Sequence, residues 1–106
     1  MGIAGTWLIT EMSNWDEDYY NMEVPAYFEI DESGSGDFQF GLVSGQIDGE
    51  IVKNKSGEKV EFTWDGNDEM DDAAGSGWLK LKDQNILEGK IKFHQGDSSL
   101  FLARRA

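Results

Sequence analysis

The chain has 106 residues, of which 21 are acidic and 9 are Lys or Arg, so its formal net charge is −12. The electrostatic field of so negative a protein opposes binding to nucleic acid or to an anionic membrane, and we expect neither partner. The chain has no cysteine, which excludes a disulfide framework, a thiolate metal site and a cysteine nucleophile. A length of this order is typical of one compact unit, so we expect a single domain over residues 1–106.

The composition and the first residues indicate a folded protein without a targeting segment. The 13 glycines, the single proline and the 12% of aromatic residues are typical of a folded chain with many tight turns. Residues 1–12 have neither the basic region nor the uninterrupted apolar stretch of a signal peptide, and no segment has the length of a membrane helix. We therefore expect a cytoplasmic protein.

Alternation of apolar and polar residues predicts eight short strands. In the segment after strand one, Ser13 is followed three positions later by Asp16, as in a capping box, which predicts one helical turn or an ordered loop. The first four strands are predicted over residues 3–12, 24–31, 36–43 and 46–52, with a turn at Ser44-Gly45 before the fourth. The later elements are a charged turn centred on Ser56 and Gly57, strand five over residues 58–64, strand six over 77–83, a turn at Gln84-Asn85, strand seven over 86–93, a turn at 94–97 and strand eight over 98–103.

Eight strands joined mostly by short turns predict an all-β, antiparallel up-and-down (meander) barrel, because closure removes the exposed edge strands of an open sheet. A β-sandwich of the same strands is the alternative. The interior of an eight-stranded barrel is filled by side chains or holds one small ligand. Filling is favoured by the aromatic residues at inward positions, which are Trp7, Phe28, Phe38, Phe40, Phe62, Trp64 and Phe93. Gly49 and Gly89, each inward between two aliphatic residues, are expected to bend a strand or to make room for an opposite aromatic ring.

Residues 64–78 are the one long interruption of the strand pattern in the second half of the chain. The segment runs from Trp64, expected in the core, to Trp78, expected on the outer surface with the lysines of strand six. It contains the small residues Gly75, Ser76 and Gly77 and the carboxylates of Asp65, Asp68, Glu69, Asp71 and Asp72. The pattern predicts a long acidic loop.

Alternate connections of an up-and-down barrel lie at the same end. We call the end that receives the connections after strands one, three, five and seven the acidic rim, and the other end the basic rim. The acidic rim collects both long connections, the only histidine, and the acids Asp16, Glu17, Asp18, Glu23, Asp65, Asp68, Glu69, Asp71, Asp72 and Asp97. The basic rim receives Lys53, Lys55 and Lys59. Long loops at one end favour a functional surface there, the alternative being that they are solvated insertions.

Gly5-Thr6-Trp7 on strand one resembles the Gly-x-Trp start of lipocalin-like and avidin-like barrels, the calycin group. The resemblance covers these three residues and the strand count. It implies a barrel with one end closed by Trp7. The chain is shorter than a typical lipocalin and lacks its long connections, which argues against a lipocalin-type ligand cavity.

The residues of the acidic rim only partly match the patterns of three kinds of chemistry. Asp65, Asn67, Glu69 and Asp71 alternate as calcium ligands do, but Met70 stands where an EF-hand loop requires glycine and the closing glutamate is absent. His94 with Asp97 and Ser98 or Ser99 is crowded into one hairpin, which does not supply the geometry of a catalytic triad. No pair of carboxylates is singled out for acid–base catalysis. We therefore expect no enzyme, no catalytic residue, no metal site and no cofactor.

The leading hypothesis is a binding module that uses the acidic, aromatic rim for a basic protein or a cationic ligand, because aromatic residues concentrate at interface cores and charge steers the encounter. The alternatives are a carrier of a small apolar ligand in the barrel interior and a cation-binding domain. The candidate binding residues are Trp15, Asp16, Asp18, Tyr19, Asp65, Asp68, Glu69, Asp71, Asp72, His94 and Asp97.

Overall fold

A computed structural model describes residues 2–55 and 57–106, except the side chain of Asn54. Its elements are β1 (Gly5–Met12), α1 (Glu17–Tyr20), β2 (Tyr27–Ile30), β3 (Gly36–Phe40), β4 (Val43–Asn54), β5 (Gly57–Asp68), β6 (Asp71–Asp83), β7 (Ile86–Phe93) and β8 (Ser98–Arg105). The strands pair antiparallel in chain order and β8 pairs with β1, so the sheet is a closed eight-stranded up-and-down barrel. The barrel is confirmed and the β-sandwich alternative is wrong. Within the described residues, no helix has the length and apolar character needed to cross a membrane.

Aromatic side chains fill the interior of the barrel. Phe28 is 0% exposed, and its ring stacks on Phe38 with a centroid distance of 5.0 Å and on Phe101 at 4.8 Å. Trp64 is buried and meets Phe38 and Phe93 edge-on, each at 5.2 Å. These contacts confirm the inward positions predicted from the strand alternation. A core packed in this way is a rigid support for the surfaces outside it.

The basic rim is closed by Trp7 and Arg105, which are directly opposite each other on β1 and β8. Trp7 is 0% exposed, and its indole Nε1–H donates to the Ile3 carbonyl at 2.9 Å. The Arg105 guanidinium lies 4.1 Å from the centre of the Trp7 ring. It also donates to the carbonyls of Gly2 at 3.0 Å, Ala4 at 3.2 Å and Gln84 at 3.1 Å. One side chain therefore joins the N-terminal segment, the last strand and the turn between β6 and β7.

The predicted turn at Ser44-Gly45 is wrong, because both residues lie inside β4. The chain reverses earlier, at Gly41 and Leu42. Gly41 has a φ of +59°, and a Cβ there would lie 2.3 Å from Cε2 of the Tyr19 ring. Gly45 instead makes room in the core, since a Cβ would lie 2.7 Å from Cε2 of Phe38. Gly45 therefore occurs in Ser44-Gly45 because the Phe38 ring leaves no space for a side chain, and not because the chain turns there.

The predicted long loop over residues 64–78 is also wrong. β5 continues to Asp68 and β6 begins at Asp71, so only Glu69 and Met70 form the connection. The two strands stay in register from Lys59 opposite Lys80 to Asp68 opposite Asp71. We call residues 65–74, which form the tip of this hairpin, the acidic arm. Trp64 is buried and Trp78 lies on the outer surface, as predicted.

Two further expectations about turns and glycines have different outcomes. Ser56, predicted as the centre of a turn with Gly57, lies outside the described residues, and Gly57 is the first residue of β5. Gly89 makes room for an aromatic ring as predicted, since a Cβ there would lie 2.5 Å from Cζ of Phe101. Gly49 serves a close backbone approach, because a Cβ there would lie 2.3 Å from the Gly34 carbonyl oxygen.

Candidate functional site

Backbone hydrogen bonds tie the connections of the acidic rim to one another. The Gly41 amide donates to the Tyr20 carbonyl at 2.9 Å, which joins α1 to the turn between β3 and β4. The Glu69 amide donates to the Leu42 carbonyl at 2.8 Å, which joins that turn to the tip of the acidic arm. These bonds confirm that the connections after strands one, three and five share one end of the barrel.

Trp15 and Tyr19, two of the predicted binding residues, cover the core at this end. Both are half-buried, with ring centroids 6.2 Å apart, and Trp15 lies 5.1 Å from Phe40 and 6.0 Å from Phe93. The Leu42 amide donates to the Tyr19 hydroxyl at 3.4 Å. The two rings therefore pack mainly against the protein itself and close the barrel.

Asp16 and Asp18, also predicted to bind, lie at the start of α1. Asp16 is the N-cap residue of the helix, and its carboxylate accepts from the Tyr19 amide at 3.2 Å. Asp18 is an exposed residue of the first helical turn. The cap orients the segment that carries Trp15 and Tyr19.

Replacing Asp16 with Ala is expected to lower the free energy of unfolding by about 1 kcal/mol, because the Tyr19 amide loses its side-chain acceptor and keeps only the Asp16 carbonyl. Urea denaturation measures the change. Asp18→Ala is the matched control, since it removes a charge of the same sign from the same turn without removing a cap. Equal costs for the two variants would contradict a capping role for Asp16.

Tyr20, the last residue of α1, is buried and anchors the helix to β1. Its hydroxyl donates to the Thr10 carbonyl at 3.0 Å. Burial raises the pKa of Tyr20, and the negative charges of Glu17, Glu11 and Asp16 raise it further. The hydroxyl therefore keeps its proton, and with it this hydrogen bond, to higher pH than an exposed tyrosine.

The acidic arm divides its carboxylates between two faces, because residues directly opposite each other in a hairpin share a face and neighbours along a strand alternate. Asp65 is opposite Ala74, and Asp72 is opposite Asn67, so these side chains lie on the outer face. Asp68 is directly opposite Asp71, and this pair lies on the other face, in line with buried Trp64. Glu69 is at the turn. The predicted single cluster is therefore two smaller groups separated by the backbone.

An open cleft of about 750 Å³ lies between the acidic arm and the turn after β7. We call it the arm cleft. It is lined by Asp65, Gly66, Asp68, Asp71, Asp72, Ala73, Ala74, Phe93, His94 and Gly96. The His94 amide donates to the Ala74 carbonyl at 2.7 Å, and the Phe93 amide donates to the Asp97 carbonyl at 2.9 Å. The cleft is thus lined by five residues of the predicted set, which are Asp65, Asp68, Asp71, Asp72 and His94.

The calcium-like spacing of the sequence does not bring its residues together. Asp65 and Asn67 lie on the outer face of the arm, Glu69 lies at the turn, and Asp71 lies on the opposite face. Within residues 2–55 and 57–106, no three His, Cys, Asp or Glu side chains are arranged to hold a metal ion. The alternation of a β-strand separates residues that a loop would have allowed to converge.

The serines next to His94 serve the structure. Ser99 is buried, and its hydroxyl accepts from the Asn14 amide at 3.1 Å and donates to the Leu100 carbonyl at 2.9 Å. The Asn14 side chain also donates to the Ser98 carbonyl at 2.7 Å. These contacts fix the segment after β1 against β8, and Ser99 is engaged with the backbone.

The sequence interpretation missed an apolar groove of about 470 Å³ on the outer surface of β1, β6, β7 and β8. Trp78 and Leu100, which is 54% exposed, line it, and both are paired with Lys90 on β7. Leu102 and Glu88 lie in the next row. The sequence of β8 could have indicated this groove. Leu100 and Leu102 alternate there with the inward Phe101, so β8 has apolar residues on both faces.

No protein-family model matches the chain, and no curated protein or solved structure shows significant similarity to it. The chain is an all-β protein whose strands form a closed eight-stranded antiparallel barrel, which is consistent at a coarse level with a calycin-like barrel.

Proposed function

We propose that the protein is a non-catalytic binding module and that its acidic arm receives a cationic partner, such as a basic segment of another protein. The observation that carries the proposal is the pairing of Asp68 directly opposite Asp71 at the end of the hairpin. Like charges at directly opposed positions destabilise a sheet. Residues whose placement lowers the stability of the fold are expected where they serve binding.

The surroundings of the arm support the same proposal. Asp65, Asp68, Glu69, Asp71 and Asp72 are all exposed. The described residues contain one salt bridge, between Lys59 and Glu61 on the outer face of β5, so no cation of that part of the chain pairs with the arm. At the tip, Met70 is 93% exposed. An exposed methionine among unpaired carboxylates suits a partner that presents both positive charge and apolar surface.

The barrel serves as the support for this surface. We infer that it is of the calycin-like type, on the basis of Gly5-Thr6-Trp7, the strand count and the position of Trp7 at a closed end. The stacked rings of Phe28, Phe38 and Phe101 occupy the interior in which a carrier would hold its ligand. The packing therefore favours the binding module over the carrier.

The test is binding of a fluorescein-labelled hexa-arginine peptide, followed by anisotropy at 50 and 300 mM salt. The triple variant Asp68→Asn, Asp71→Asn, Asp72→Asn is expected to bind roughly tenfold more weakly, since exposed ion pairs contribute about 0.2–1 kcal/mol each. Affinity of the parent protein is expected to fall as salt rises.

A second triple variant, Glu32→Gln, Glu50→Gln, Glu88→Gln, is the matched control, because it changes the net charge by the same amount away from the arm. It is expected to bind as the parent protein does, apart from a small loss from the weaker overall field. Equal losses in the two triple variants would show that only net charge matters and would contradict the proposal.

A further inference from the structure

The acidic arm has one strand edge without a partner in the described structure. On the β5 side of the arm the edge is covered, because β4 pairs with β5 as far as Val43 opposite Asp68. The pairing of β6 with β7 begins only at Gly75 opposite Phe93. Beyond that point the His94 amide donates to the Ala74 carbonyl, and Asp71, Asp72 and Ala73 pair with β5 alone. The barrel is closed, but the β5–β6 hairpin extends past the end of β7 and exposes an edge.

The backbone groups at this edge have a defined direction. In an antiparallel strand, the amide and carbonyl of one residue point to the same side, and alternate residues share that side. The Ala74 carbonyl points towards β7, where it accepts from His94. The amide and carbonyl of Asp72, two residues earlier in the same register, therefore point into the arm cleft. They offer one donor and one acceptor to an incoming strand.

We propose that an extended segment rich in Lys or Arg binds by strand addition along β6 from Asp71 to Ala73, pairing its backbone with Asp72. This inference rests on the proposed function, and it adds the mode of recognition. Strand addition obtains affinity from main-chain hydrogen bonds and specificity from the alternate side chains. It predicts a partner that is extended when bound and has a defined register.

Charge complementarity identifies the occupant as basic. Side chains of an added strand alternate between two faces. On the outer face they lie beside Asp72, with Asp65 one strand further on β5, and on the other face they lie beside Asp71, with Asp68 one strand further. Consecutive basic residues would therefore each find carboxylates.

The remaining lining of the arm cleft is compatible with long basic side chains. Ala73 and Ala74 are small and leave space beside the edge, and half-buried Phe93 offers apolar surface to the stems of Lys or Arg. A cation, Lys92, lies on the outer face of β7 opposite Ser76, next to the start of this edge. Its charge would direct the basic segment towards the tip of the arm and away from β7.

The competing explanation is that the acids only prevent the exposed edge of β6 from pairing with another copy of the protein. Charged residues at a short strand edge prevent pairing between copies of a protein. In that case the arm would bind no peptide, and removal of the charges would lead to self-association. The two explanations therefore make different predictions for the same variants.

The probe is an eight-residue peptide of alternating Arg and Thr, compared with two versions that carry N-methyl groups on alternate backbone amides in the two possible registers. The charge is identical in all three peptides. The version methylated at the amides that face β6 is expected to bind about tenfold more weakly, whereas the other is expected to bind as the parent peptide does. Equal affinity for all three would overturn strand addition while leaving the proposed function in place.

A matched pair of protein variants tests the same backbone hydrogen bonds by changing the protein instead of the peptide. Asp72→Ala removes the charge and keeps the amide, and Asp72→Pro also removes the amide that points into the arm cleft, at a position where an edge strand tolerates proline. The proline variant is expected to bind the alternating peptide about fivefold more weakly than the alanine variant. Thermal melts of both variants verify that they fold.

The outcomes separate the two proposals. Equal affinities of Asp72→Pro and Asp72→Ala would overturn strand addition alone. Failure of the parent protein to bind either the alternating peptide or hexa-arginine would overturn the proposed function as well. Self-association of Asp71→Asn, Asp72→Asn by sedimentation, without peptide binding by the parent protein, would identify the acids as guards of the edge and would overturn both.

Discussion

Truncation of Phe28 to Ala is expected to lower the free energy of unfolding by about 4 kcal/mol, because a large aromatic side chain leaves a cavity in a closely packed core. Phe28 lies between Phe38 and Phe101 in the middle of the barrel, with ring centroids 5.0 and 4.8 Å away. Urea denaturation followed by tryptophan fluorescence measures the change. The melting temperature is expected to fall by more than about 12 °C in a domain of this size.

Two further substitutions make this result specific to packing. Phe28→Leu keeps most of the apolar volume and is expected to cost about half as much. Leu100→Ala removes an exposed apolar side chain on the outer surface and is expected to cost less than about 0.5 kcal/mol. Equal effects of Phe28→Ala and Leu100→Ala would show that the interior is loosely filled. The carrier alternative would then regain support.

Replacing Arg105 with Ala is expected to lower the free energy of unfolding by about 3 kcal/mol, from the loss of charge-assisted hydrogen bonds and of the contact with Trp7. The guanidinium donates to the carbonyls of Gly2, Ala4 and Gln84. Their removal takes away the side-chain contacts that hold Gly2 and Ala4 to the last strand, whereas the backbone pairing of β1 with β8 remains. Denaturation gives the magnitude, and hydrogen exchange of the first ten residues is expected to become faster.

Arg104→Ala is the matched control, because Arg104 is the neighbouring residue with the same charge and is exposed. Its expected cost is below about 0.5 kcal/mol. Arg105→Lys is expected to lie between the two, since an ammonium lacks the planar fork that stacks on an indole and reaches several carbonyls together. A cost for Arg105→Ala no greater than that for Arg104→Ala would contradict its role in closing the basic rim.

The two ends of the barrel are closed in different ways, and this difference determines where a partner has access. At the basic rim, Trp7 and Arg105 form a compact closure tied to the backbone. At the acidic rim, Trp15 and Tyr19 cover the core. The acidic arm extends past the end of the β6–β7 pairing. Its carboxylates and its open edge are therefore available without any change in the barrel.

Much of the fold follows from the alternation of residues along the chain. The inward positions of Trp7, Phe28 and Trp64 were predicted from periodicity alone, because a half-buried strand places every second side chain in the core. The sharing of one rim by alternate connections follows from the up-and-down order of the strands. These features depend on local pattern and on closure of the sheet, and both are properties of the sequence.

The hairpin of the acidic arm was not predictable in the same way. Two-residue hairpin turns normally carry Gly or Asn at the position with positive φ, and here that position is Glu69, with a φ of +60°. Acidic residues also have low strand propensity. Gly75 lies in β6, where a Cβ would collide with the Lys92 carbonyl oxygen of β7 and would approach Nε1 of Trp64 to 2.9 Å. The glycine therefore serves the close approach of β6 and β7 beside Trp64, and the pairing of those two strands is a long-range feature.

Alternation along the chain is enough to predict eight strands, an aromatic interior and a group of acids at one end of the barrel. How those acids are arranged depends on the tertiary structure. The continuation of β5 and β6 past β7 places Asp65 and Asp72 on one face and Asp68 and Asp71 on the other. At another place on the same rim, the Asp16 carboxylate caps helix α1. The reason is physical: the lengths of neighbouring strands depend on long-range packing, whereas alternation is local.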